Sequence, residues 1–278
     1  MPASRSSSSP SSSSSSSSSG SRKGLLVCGA VAVAAALMGL VSWQAGTLDK
    51  DSARTSSASQ PRKAGSDPAA QLAGLARRDA GDKLALGRAD APVVLIEYSD
   101  FKCGYCGKFA RDTEPELIRK YVENGTLRIE WRNFPIFGAE SEAAAKAAWA
   151  AGQQDRFRRF HEAAYAPGAK EKGFGEARLL ELAREAGVPD LERFRADMAG
   201  EAAEAALAKD REEGYRIGVS STPSFLVGGR PIAGAQPYGA FAALIDQAAA
   251  KARAAAGAGA GTGAGTESGA GAGAGSGR

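Results

Sequence analysis

The sequence predicts an α/β domain in which an all-helical segment interrupts a small mixed sheet. Three observations carry that prediction. Val93-Val94-Leu95-Ile96 is a continuous apolar, β-branched run, as a strand buried on both faces requires. From about residue 141 to residue 214 the periodicity is helical throughout. After it, Ser224-Phe225-Leu226-Val227, Gly228-Gly229 and Arg230-Pro231-Ile232 read as a β-hairpin around a two-residue glycine turn.

Taken in order, the first strand ends in Glu97-Tyr98-Ser99-Asp100-Phe101, and a Cys-x-x-Cys then opens a helical pattern reaching Tyr121-Val122. Pro115 lies inside that pattern and predicts a kink, because proline removes a helix donor and clashes with the preceding turn. Asn124-Gly125 is a turn, and residues 127–134 alternate as a second strand, which completes a βαβ unit. The helical segment divides into 141–154, 156–165, 176–186 (stopped by Gly187), 191–198 and 201–215. A last helix begins at Tyr238 and runs to about Ala250. Trp149 and the alanine-rich helices read as core packing.

The two ends are not globular in composition. Residues 4–23 are nearly all serine, and 254–278 are almost only glycine and alanine. Neither has the apolar side chains needed to offset backbone ordering, so 1–23 and 254–278 are expected to be disordered tails. The folded domain is expected over 82–253, with its helical insertion at about 141–214. A net charge of +4 and the lack of a basic stripe interleaved with aromatics argue against a nucleic-acid partner.

Residues 24–48 carry no charge, and 25–41 are strongly apolar. A helix of that span is about 37 Å long, enough to cross a bilayer with some tilt. Arg22 and Lys23 precede it, while Asp49, Lys50 and Asp51 follow with no positive excess. The expectation is a single-pass signal anchor at 24–45 in the cell membrane, its N-terminus cytoplasmic and the rest extracytoplasmic. The rival is a cleaved signal peptide. It fits less well, because Trp43 and Gln44 stand where small residues are wanted. Cys28 sits early in the apolar run, preceded by Val27, and reads as a membrane-buried side chain, not a lipidation site. Residues 46–81 are polar and read as a flexible linker that places the domain where disulfides persist.

The chemistry centres on Cys103-Gly104-Tyr105-Cys106. Three cysteines are too few for a disulfide scaffold. No second Cys-x-x-Cys and a single histidine, His161, leave a zinc site incomplete. A merely structural bridge would close almost no chain and add little stability. A redox dithiol fits best, since Cys103 stands at a helix N-terminus where unpaired N–H groups and the helix dipole favour thiolate. Lys102 and Lys108 push the same way. Cys106, one turn in, is expected to be better buried. Cys103 is thus the candidate nucleophile and Cys106 the resolving thiol. The redox-active disulfide would serve in place of any cofactor.

Glu97 through Cys106, together with Ser221-Thr222-Pro223-Ser224-Phe225-Leu226-Val227-Gly228-Gly229, closely resembles the DsbA-like branch of thioredoxin-fold proteins. Trp131-Arg132-Asn133-Phe134-Pro135 and the Phe-x-x-Phe-His-Glu of residues 157–162 look like that family's second strand and inserted helix. The resemblance covers roughly 83–250 and implies a thioredoxin-like fold and a thiol:disulfide oxidoreductase. It implies that Pro223 is cis and packs against the sulfurs. It also implies that Thr222, with Gly104 and Tyr105, meets an extended substrate peptide, and that Glu97 is a buried acid able to take the Cys106 proton. His161 reads as structural.

One departure bears on direction. The family's strong oxidants carry Pro-His between the cysteines, and Gly104-Tyr105 lacks that cation. The resemblance therefore implies a weaker oxidant, with oxidation, isomerisation and reduction all open. The implied partners are extracytoplasmic cysteine-containing proteins and a membrane redox partner that re-oxidises or reduces the dithiol. A non-catalytic peptide-binding module is the alternative. A copper-delivery thiol protein is another, since Cu(I) suits a dithiol, but only three methionines and no histidine beside the motif speak against it.

Overall fold

The computed structural model describes residues 67–261. Within them, α1 (Pro68–Ala73) precedes β1 (Ala85–Leu86) and β2 (Val93–Ser99), after which the Cys-x-x-Cys helix begins. That helix is divided into α2 (Gly104–Asp112), α3 (Glu114–Leu117) and a π-type turn at Ile118–Val122. It breaks at Thr113, before the expected kink at Pro115. The reason is local: Pro115 falls in the first turn of α3, where its missing N–H and fixed φ do no harm.

β3 (Leu127–Asn133) lies parallel to β2, with Glu97 opposite Trp131. The insertion follows as α4 (Ala139–Gly152), α5 (Phe157–Ala164), α6 (Glu176–Glu185), α7 (Leu191–Ala199) and α8 (Glu201–Arg216). β4 (Ser224–Val227), β5 (Arg230–Ala233) and α9 (Tyr238–Gly261) close the chain. The sheet order is β1-β3-β2-β4-β5, with every pairing antiparallel except β2 with β3. The hairpin turn has positive φ at both Gly228 and Gly229, as a tight two-residue turn demands. β1 is only two residues long and carried no pattern to find it by.

All seven residues of β2 are buried because helices cover both faces. On one face Val93, Leu95, Leu127 and Ile129 meet Phe109, Leu117, Phe225, Phe241 and Ile245. The Phe109, Phe225 and Phe241 rings sit 4.5–5.1 Å apart, and each buried ring contributes about 1.5–3 kcal/mol. On the other face Val94, Ile96, Tyr98 and Leu226 pack with Phe134. The insertion shares one core with Phe101, Cys103, Cys106 and Trp131, in which five buried alanines of α4 let its neighbours approach closely.

Charge holds the second face together, a feature the sequence pattern did not announce. Glu130 receives Arg128 at 3.0 Å and Arg132 at 2.8 Å, and Arg132 reaches Glu213 of α8 at 2.9 Å. The Glu130 carboxyl is buried, which alone would raise its pKa. Backbone N–H groups of Arg77 and Arg78 and the Arg132 guanidinium reverse that and hold it near about 2.

Two expected boundaries move. The linker at 46–81 does not extend to residue 81, because residues 67–81 fold onto the domain. Asp67 caps α1, and the N–H groups of Arg77 and Arg78 donate to Glu130 at 2.9 and 2.8 Å. The C-terminal tail expected at 254–278 is helical up to Gly261, beyond the anticipated end near Ala250. Residues 254–258 are exposed, and the alanines among them favour helix where Gly257 does not. The remainder of the linker, the Ser-rich segment 1–23, the expected membrane helix at 24–45 and residues 262–278 lie outside the described residues. Among the described residues no helix is long and apolar enough to cross a membrane.

Candidate active site

The site forms where β2 ends. Asp100, one residue past the strand, is buried, and its carboxylate accepts four hydrogen bonds. These come from the Lys102 N–H (2.8 Å), Ser141 Oγ (2.8 Å), and the Ile136 and Phe137 N–H groups (2.7 and 3.3 Å). It thereby fastens the loop before the dithiol to the insertion. The Tyr165 hydroxyl donates to the Asp100 carbonyl at 2.9 Å, and its ring stacks on Phe101 at 5.0 Å. Sequence reasoning missed both residues. The Asp two positions before Lys102 carried a turn signal; Tyr165 carried none.

Cys103 is the N-cap of α2, and its sulfur accepts the Cys106 N–H at 3.3 Å. The sulfur thus fills the capping role usually taken by a side-chain oxygen. Its thiol also faces the Thr222 carbonyl at 3.3 Å, and the Thr222–Pro223 bond is cis. The two thiols are unbridged and unequal. Donation from the Cys106 thiol, helped by the N–H groups of Cys106 and Tyr105, outweighs burial and lowers the Cys103 pKa from about 9 to about 6. Burial, then the hydrogen bond to Cys103 and its charge, push Cys106 well up. Cys103 also lines an open pocket of 230 Å³ with Phe101, Gly107, Tyr165, Pro167 and Lys170; Cys106 does not.

Lys102 and Lys108 give the thiolate little help. Each is held by a carboxylate, Glu140 at 2.5 Å and Asp112 at 2.6 Å, so much of its field is neutralised. Gly104 and Tyr105 form an exposed lip, with Tyr105 at 69%. Thr222 is half-buried and Pro223 buried beside them.

Glu97 lies wholly inside, on the sheet face it shares with Trp131, and neither carboxylate oxygen has a hydrogen-bond partner. Burial, followed by the charge of Glu114, raises its pKa well above the ordinary carboxylate value. His161 is packed against Trp131 and Tyr165 at 4.8 and 4.9 Å, and burial followed by Arg158 lowers its pKa to about 3. It is a neutral core residue. Among the described residues no group of three or more His, Cys, Asp or Glu side chains is arranged to hold a metal.

A paired dithiol with one lowered and one raised pKa, over a buried acid, is equipped for disulfide exchange. A family model described as Thioredoxin matches residues 79–247. The probable disulfide bond formation protein D of Bacillus cereus is 31% identical over 151 residues, covering 52% of this chain and 69% of that protein. The chain belongs to the thioredoxin family, in its DsbA-like branch.

This DsbA-like protein is a thiol:disulfide oxidoreductase. Its fold superposes on oxidised BdbD from Bacillus subtilis with a TM-score of 0.56 at 24% identity, covering 61% of this chain and 93% of that one. A thioredoxin-like oxidoreductase from Silicibacter pomeroyi gives 0.53 at 28% identity, over 60% and 96%. A Na(+)/H(+) antiporter NhaA 1 of Salinispora arenicola is 32% identical over 169 residues, which make up 24% of that longer protein. DsbA-like proteins act on cysteine-containing substrates together with redox partners.

Proposed function

We propose that this oxidoreductase exchanges disulfides with extracytoplasmic protein substrates through Cys103-Gly104-Tyr105-Cys106. The carrying observation is the inequality of the sulfurs. Cys103 has the lowered pKa and lines an open pocket, and Cys106 has neither property. Cys103 attacks or is attacked by the substrate sulfur, and Cys106 resolves the mixed disulfide. Glu97 takes or returns the Cys106 proton. Thr222, Pro223, Gly104 and Tyr105 border the substrate's extended backbone, and no further cofactor is needed.

The uncharged stretch 24–48, with Arg22 and Lys23 before it, supports a membrane anchor that leaves the dithiol outside the cytoplasm. A membrane redox partner then sets the direction of electron flow. Replacing Cys106 by Ala in the full chain should accumulate mixed disulfides on Cys103, visible as thiol-sensitive adducts on non-reducing gels. No adducts with Cys106→Ala, or equal adducts with Cys103→Ala, would sink this reading.

A further inference from the structure

Lys102 and Lys108 spend their charge on Glu140 and Asp112, but two further cations stand beside Cys103. Arg111 and Lys170 both line the cleft of 230 Å³ that Cys103 lines. Arg111 donates from Nη1 to a neutral acceptor, the Tyr165 carbonyl, at 2.7 Å. Lys170 Nζ stands 3.9 Å from Glu171 Oε1, beyond hydrogen-bond length, and 45% of its side chain is exposed. Neither holds a carboxylate as Lys102 and Lys108 do.

Two glycines give these cations their places. A Cβ at Gly107 would fall 2.8 Å from Arg111 Nη1 and 3.2 Å from Tyr165 Cδ1, so bare backbone lets the guanidinium lie across α2. A Cβ at Gly104 would stand 3.6 Å from Lys170 Nζ, which puts the ammonium within contact distance of the residue after the nucleophile. Lys170 belongs to the connection between α5 and α6, where Ala169 and Phe174 are buried on either side of it. The Phe174 N–H donates to Glu140 at 3.4 Å, and Glu140 also holds Lys102. The loop bearing the lysine is thus pinned to the same carboxylate as the residue before Cys103.

Phe101, Ala164, Tyr165 and Pro167 supply the cleft with apolar walls. Its volume suits one side chain, and apolar walls with two cations fit a short stem ending in a carboxylate. Neither Thr222 nor Pro223 lines it, so it takes a different part of the substrate from the extended backbone.

We propose that this cleft selects protein substrates with an acidic side chain beside the reacting cysteine, Lys170 and Arg111 receiving its carboxylate. This rests on the exchange function proposed above. The Cys103 thiolate attacks the sulfur beside that acid, the Cys103–substrate bond forms, and the other substrate sulfur leaves as thiolate. Cys106 then attacks Cys103, the Cys103–Cys106 bond forms, and the held sulfur leaves as thiolate. The dithiol loses two electrons and the substrate disulfide gains them; the proton lost by Cys106 balances one taken up by the released thiols. The carboxylate is unchanged throughout and only holds its sulfur near Cys103.

The test mixes the full chain in its dithiol form, at neutral pH, with peptides of one length. Each peptide carries one cysteine as its mixed disulfide with 2-thiopyridine, a neutral group whose release as pyridine-2-thione is followed by absorbance. Two Glu residues flank the cysteine, or two Gln residues; a third peptide carries its two Glu residues at the far end. Each rate is divided by that of dithiothreitol with the same peptide. The wild-type chain should favour the Glu-flanked over the Gln-flanked peptide about fivefold, the size of a partly exposed ion pair, and lose the preference at high salt. Lys170→Gln and Arg111→Gln should each bring the ratio towards one, while Lys170→Arg should keep it. Glu171→Gln removes a competing carboxylate and should widen it. A wild-type ratio near one, equal preference for the peptide with distant Glu residues, or an unchanged ratio in Lys170→Gln overturns the proposal. Should Arg111→Gln fail to fold without its bond to Tyr165, Lys170→Gln decides alone. If the wild-type chain releases no thione from any peptide, the exchange function itself falls, and the cleft's role with it.

Discussion

The Cys103 sulfur and the Thr222 carbonyl oxygen face each other at 3.3 Å, although 119 residues separate them in sequence. While Cys103 is a thiol it donates to that carbonyl. Once it is a thiolate, or bonded to a substrate sulfur, it has no proton to give. The carbonyl is then free to accept an N–H from an extended peptide. Ionisation of Cys103 therefore leaves the Thr222 carbonyl without that donor and able to accept another hydrogen bond.

The first prediction concerns this ionisation. Alkylation of Cys103 should rise with pH around a midpoint near about 6, against about 9 for an ordinary thiol. A lowered folded pKa means that the unfolded chain holds the extra proton between those values. Relative to Cys103→Ala, the dithiol form should therefore gain stability from about pH 6 to about pH 9 and lose that gain on acidification. Iodoacetamide kinetics and urea titrations at several pH values check both statements.

The dipeptide between the cysteines offers a second test. Replacing Gly104-Tyr105 by Pro-His should lower the Cys103 pKa and make the disulfide more oxidising. Each pKa unit, about 1.4 kcal/mol, corresponds to about 30 mV for a two-electron couple. The wild-type potential should lie below the about −120 mV of the strongest oxidant in this fold. Equilibration with glutathione measures both.

Glu130 anchors two arginines and two backbone N–H groups in a buried setting. Glu130→Gln should cost about 3–5 kcal/mol, since it strands buried guanidinium charge. The loss should appear as a lower urea midpoint. The Cys103 alkylation midpoint should stay near its wild-type value, because Glu130 lies on the opposite face of the sheet from Glu97.

Gly214 tests the packing of α8 on the sheet. A Cβ there would fall 2.6 Å from Phe134 Cε2 and 3.3 Å from Tyr98 Cδ1, both on buried rings. Gly214→Ala should destabilise by about 1–3 kcal/mol through overpacking, read as a drop in Tm.

Much of this could be read in advance because it was local. Val93 to Ile96 announced a central strand, two glycines announced the hairpin, and Cys103 at a helix start announced its own lowered pKa. What escaped was non-local. Asp100 looks like an ordinary turn residue until Ser141, Ile136 and Phe137 converge on it. Arg128, Glu130 and Arg132 alternate as a solvent-facing strand edge would; only α8 and Arg77 turn that face inward. Glu114 reads as a helix-start acid, and its burial depends on α5 packing over it.

Glu130's ties to Arg77 and Arg78 bear on where this chain could be cut. A fragment starting at residue 82 would keep every residue of the dithiol site, yet it would leave a buried carboxylate short of two of its N–H donors. It would also bare the apolar strip under α1, where Gly229 approaches so closely that an added Cβ would fall 1.9 Å from the Ala69 carbonyl oxygen. The smallest fragment that folds as the intact chain does should therefore begin near Asp67, upstream of everything the chemistry uses.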